Sequence, residues 1–119
     1  MNATETGKLL GLMALFDNRT LSDPDVVAWL PLVGDLLYGD AQAAVYGHYR
    51  DTAERIMPAD IRRRVREIRA ERVRNAGDLE ARVPRELADK PLEYRDWLQR
   101  TTQAIADGEP AVRAIGGAA

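Results

Sequence analysis

Apolar positions in this chain recur at intervals of three and four residues, the period of a helix with one buried face. In "NATETGKLLGLMALFDN", Leu9, Leu12, Met13 and Phe16 form such a stripe. Asn2 and Glu5 stand ahead of it at the spacing of a reciprocal capping box, and Asp17, Asn18 and Arg19 end it. "LSDPDVVAWLPLVGDL" starts a second helix. Ser22 is its N-cap, Pro24 sits in the first turn where a missing N–H costs nothing, and Val26, Trp29, Leu30 and Val33 line one face. Pro31 lies deeper and should kink or loosen the helix, because it removes one backbone hydrogen bond and crowds the turn before it. "YGDAQAAVYGHYRDT" reads as a third helix capped by Asp40, with Ala44, Val45, His48 and Tyr49 on one side. Pro58 opens a fourth that runs to about Arg74, with Ile61, Val65, Ile68 and Val73 turned inward.

Beyond Asn75-Ala76-Gly77 the pattern weakens. "DLEARVPRELADKP" carries two prolines and few large apolar residues, the composition of a linker. Periodicity returns after Pro91: Tyr94, Trp97, Leu98, Thr101 and Ile105 share one face, and Gly108 with Pro110 closes the helix. The terminal "AIGGAA" looks frayed. No strand-like alternation persists and no repeat is visible. The expected fold is therefore all-α. A four-helix domain (1–75) buries Leu12, Trp29, Val45 and Ile61 together. A linker or loosely attached segment (76–90) follows, and then an additional amphipathic helix with a frayed tail (91–119).

Charge adds one feature. The formal net charge is −2, but residues 61–74 hold seven arginines against two glutamates, while residues 1–60 hold four basic and nine acidic side chains. Fifteen arginines against two lysines reflect a coding bias before any functional choice. The interleaved Glu67 and Glu71 can pair with arginines one turn away. Of the basic face, Arg62, Arg66 and Arg69 are expected to point outward together, toward nucleic acid or an acidic partner.

Candidate chemistry is sparse. There is no cysteine, hence no disulfide or thiolate zinc site. No phosphate-cradling G-x-x-x-x-G-K-[ST] occurs. His48 is a lone histidine on a core-facing side without an evident nucleophile or metal partner, and reads as a packed histidine. Asp23 and Asp25 suit a helix N-terminus. Gly7 and Gly11 suit helix packing, and the aromatics Trp29, Tyr38, Tyr46 and Tyr49 suit a core better than a base-stacking platform. No catalytic residue, metal or cofactor is expected, and no apolar run approaches the roughly 20 residues of a membrane span. The N-terminus lacks the basic region and apolar core of a signal peptide, which points to the cytoplasm.

From about Glu5 to Ile68, "ETGKLLGLM", "VVAWLPLVGDLLYGDAQAAVYGHY" and "MPADIRRRV" resemble the N-terminal domain of the phage replicative-helicase loader/inhibitor family. The carriers are Trp29, Asp35, Tyr38, the stretch Ala41 to Val45, Pro58 and Ile61-Arg62. The departures are Pro31 and the charged "RDTAER" ahead of Pro58. The resemblance implies a non-catalytic adaptor in the bacterial host. It would bind and restrain the host's hexameric replicative helicase, and help load it at a phage origin with the phage initiator. The C-terminal segment does not match the family; from its amphipathic pattern alone, the last helix either docks on a partner through Tyr94, Trp97, Leu98, Thr101 and Ile105 or packs on its own domain as a fifth core helix. The alternative to an adaptor is a small nucleic-acid-binding regulator that uses the arginine helix.

Overall fold

Six α-helices follow one another in the computed structural model, which describes residues 1–116, and no strand occurs among them. They are α1 (Ala3–Asp17), α2 (Asp23–Val33), α3 (Tyr38–Asp51), α4 (Pro58–Asn75), α5 (Pro91–Ala106) and α6 (Ala111–Gly116). Between α4 and α5 the chain makes two short 3-10 turns, Glu80–Arg82 and Arg85–Leu87. No helix among the described residues is long and apolar enough to cross a membrane. The chain divides into two compact units, Met1–Ile68 and Arg69–Ala119, and the division falls inside α4.

Local chemistry sets the first helix ends. Asn2 Oδ1 accepts from the Glu5 backbone N–H at 2.8 Å while Glu5 Oε1 accepts from the Asn2 N–H at 3.0 Å, closing the expected capping box. Asn18 ends α1 at φ 56°, the left-handed conformation that asparagine tolerates. At α2 the Ser22 N–H donates to Asp25 Oδ2 at 2.7 Å. The helix runs on through Pro31 for two residues and stops at Gly34, so the proline marks its last turn.

Three readings change. The cap of α3 is Leu37, not Asp40, which lies buried in the first turn, where the helix dipole favours a carboxylate. Phe16, expected inside, is exposed, and Leu10 is buried in its place. Because α1 packs against both α2 and α3, its buried arc is wider than one stripe and is displaced from it. Trp29 and Leu12 are half-buried and pack against the core from outside. The Arg19 guanidinium carbon stands 5.7 Å from the Trp29 ring centroid, so a cation covers part of that indole.

The core of the first unit joins Leu9, Leu10 and Met13 of α1 to Ala41, Ala44 and Val45 of α3, with Ile56, Ile61 and Val65 completing it. The alanines let α3 approach closely, as their small size predicts. His48 is buried, and its Nε2–H donates to the Glu54 carbonyl at 2.6 Å.

The second unit has its own core: Leu79, Ile105 and Ala114, joined by partly buried Val73, Ala76, Leu98, Ala104, Ala111 and Ile115. The segment read as a linker therefore contributes to a core through Leu79, and the tail supplies α6 up to Gly116; residues 117–119 lie outside the described residues. Gly108 turns the chain after α5 at φ 99°, a conformation that glycine adopts without strain.

Candidate functional site

The arginines of α4 were the first candidates. Pro58 starts the helix, and Asp60 Oδ2 accepts from the Met57 N–H at 2.9 Å. That hydrogen bond, followed by Arg63, holds the Asp60 carboxyl below its ordinary pKa. Arg62 reaches Asp35 with both terminal nitrogens, at 2.6 and 3.1 Å, and also donates to the Leu32 carbonyl at 3.1 Å. This fork lowers the pKa of Asp35 and raises that of Arg62. Arg63 pairs with Asp60 at 3.1 Å, Arg64 with Asp51 at 3.0 Å, and Arg74 with Glu71. In the second unit, Arg69 pairs with Asp107 at 2.7 Å and Arg72 donates to the Ala106 carbonyl at 2.9 Å. Arg66 makes no hydrogen bond or ion pair among the described residues.

The trio read as one outward face is thus divided in its roles. Arg62 and Arg69 are each engaged by a carboxylate, and Arg66 is exposed and free. The sequence concealed this because Asp35 and Asp107 lie far from their partners along the chain. The helix that looked like a basic surface is largely neutralised by the acidic residues around it.

A salt titration measures how much of that charge is available. Binding to double-stranded DNA is expected to be weak, and Arg66→Ala to lower its log–log salt slope by about one, since Arg66 is the unengaged arginine of α4. A slope of about six would mean that the carboxylates yield to phosphates and all seven arginines act together.

The second candidate was the face Tyr94, Trp97, Leu98, Thr101 and Ile105 on α5. The structure turns most of it inward: Trp97 is 1% exposed, Thr101 and Ile105 are buried, and Tyr94 and Leu98 are half-buried. The expected docking face is therefore occupied by its own unit. The indole that an amphipathic stripe could offer to a partner is thus shielded from solvent within the second unit.

Two features of the first unit were not read from the sequence as sites. At the end of α1, Arg19 clamps Asp17 with Nε to Oδ1 at 2.9 Å and Nη2 to Oδ2 at 2.5 Å, and Nη2 also donates to the Ile56 carbonyl at 2.9 Å. The Tyr49 hydroxyl donates to Asp17 Oδ2 and accepts from the Ile56 N–H at 3.1 Å. The Arg19 hydrogen bond drives the Asp17 pKa well below the carboxylate range against the opposing effect of burial. Burial, then Asp17, raises that of Tyr49.

Beside this network lies an aromatic surface. The Phe16 ring stacks on Tyr49 at 5.2 Å and meets Tyr46 edge-on at 6.1 Å. Phe16, Tyr46 and Leu15 are exposed, Leu15 to 78%.

Among the described residues no three histidine, aspartate or glutamate side chains converge as metal ligands. Fold and surfaces together define an all-α protein with ion-paired arginines and exposed aromatic side chains. No protein-family model, curated protein or solved structure matches the chain.

Proposed function

We propose that the protein is a non-catalytic helical adaptor that binds a hexameric replicative helicase in the bacterial cytoplasm, restrains it and assists its loading at a phage origin. The observation that carries a protein-binding role is the exposed aromatic pair Phe16 and Tyr46, supplied by two neighbouring helices of one unit. Exposed apolar groups of this kind mark contact surfaces, and aromatics are the common anchors of such contacts. The choice of partner rests on the resemblance, whose carriers from Glu5 to Ile68 fall within the first compact unit, Met1–Ile68. Binding through this surface would leave the core of the unit intact and needs no rearrangement of α5.

The experiment is titration of a replicative helicase with the purified protein, reading affinity and the helicase's ATPase rate. Wild-type protein is expected to bind and lower the rate. Phe16→Ser with Tyr46→Ser is expected to weaken binding by about 2 kcal/mol or more, roughly thirtyfold, with helical content retained. Helicase whose affinity and turnover are indifferent to the wild-type protein would remove this reading.

A further inference from the structure

The second unit contains an open groove of about 540 Å³, whose apolar lining includes Leu87, Trp97 of α5 and Ile115. Its volume lies within the range of ordinary ligand pockets. Three carboxylates, Glu86, Glu93 and Asp96, stand in its wall against one cation, Arg100. Their availability differs. Arg95 approaches Asp96 at 3.1 Å, and Lys90 comes no nearer than 4.0 Å to Glu93. Glu86 makes no hydrogen bond or ion pair among the described residues. Arg100 directs Nε to the Asp96 backbone carbonyl at 3.3 Å.

Trp97 forms part of the wall at 1% exposure, and its indole Nε1–H is buried out of reach of a molecule in the groove. The groove thus combines apolar walls with surplus negative charge. A peptide with an aliphatic side chain beside arginine or lysine matches both. Residues 117–119 of this chain are glycine and alanines and bring no cation.

We infer that the groove of the second unit is a docking site for a short basic–apolar segment of a partner protein. Its aliphatic side chain packs on Leu87, Trp97 and Ile115, and its cation meets Glu86 and Glu93. This site is independent of the aromatic surface on the first unit and does not depend on a helicase being the partner there.

The test uses the full chain and two synthetic peptides of alternating pattern, one of leucine and arginine, the other of leucine and glutamate. Affinity is read by anisotropy, and the position of binding by the two indole N–H resonances in a nitrogen–proton spectrum, assigned with Trp29→Phe. The arginine peptide is expected to bind and shift the Trp97 resonance, and the glutamate peptide to do neither. Glu86→Gln with Glu93→Gln, both exposed positions, should weaken the arginine peptide at least tenfold and leave the free protein's spectrum folded. Binding that ignores this double substitution, or moves Trp29 in place of Trp97, would overturn the proposal. So would free arginine amide binding as tightly as the peptide, since the apolar walls would then add nothing.

Discussion

Replacing Asp17 with asparagine is expected to lower the stability of the first unit by about 3 kcal/mol, far more than the loss of any other ion pair among the described residues. The side chains of Arg19 and Asp17 are 4% and 8% exposed, whereas the arginine pairs of α4 stand largely in water and contribute little each. Asparagine preserves the shape and an acceptor for Tyr49 but leaves the Arg19 guanidinium buried without a counter-charge. Arg19→Met on the same background should recover part of the loss, because the stranded charge goes with it. Tyr49→Phe should cost about 1–2 kcal/mol, since the Ile56 N–H loses its acceptor. Denaturant melts of the four proteins check this, and equal stability of wild type and Asp17→Asn would refute the clamp.

The same network sets a pH window. Asp17 is more acidic in the folded chain than in the unfolded chain, so its contribution is complete above the ordinary aspartate value of about 3.9 and disappears as pH falls below it. Tyr49 is shifted the other way: its contribution is complete below about pH 10 and is lost as pH rises through its raised folded value. The stability profile of Asp17→Asn should accordingly be flatter than wild type between pH 4 and the acid limit, with both measured by the same melts.

Trp97→Ala is expected to cost about 3–5 kcal/mol, most or all of the stability of the second unit. The buried side chains of that unit besides the indole are mainly small ones, Thr101, Ala106 and Ala114, with Leu79 and Ile105 the larger two. Few neighbours are available to collapse into the space left behind. Amide exchange should show α5 and α6 losing protection while α1 and α3 keep theirs. Undiminished protection of α5 in a folded Trp97→Ala protein would mean that the indole serves a partner and not its own core.

Legibility followed locality. The caps at Asn2 and Ser22 and the stops at Asn18 and Gly108 depend on neighbours a few residues away, and each could be read directly. That Leu9 and Leu10 are both buried while Phe16 is exposed depends on what lies across from α1, which a single apolar stripe does not show. The arginine helix was the largest gap. Its composition was plain, but its partners Asp35, Asp51 and Asp107 belong to other segments, and linear spacing does not pair residues across such distances. Trp97 posed the same problem, since an amphipathic stripe looks alike whether its cover is a partner or its own unit. Leu79, isolated among prolines and charges, gave no periodic signal, although it helps to form the second core.

That the boundary between the units lies within a helix governs how the chain tolerates division. A cut after Ile68 would end α4 in mid-helix, leaving carbonyls of its final turn without the N–H groups that now follow them. A cut after Asn75 would keep the helix whole but take Val73 from its apolar neighbours and Arg69 from Asp107. Either half, expressed alone, would carry a wound that the intact chain does not have. Neither unit is therefore a self-contained cassette for transplantation, and any shuffling of these segments between proteins would have to move α4 as common property.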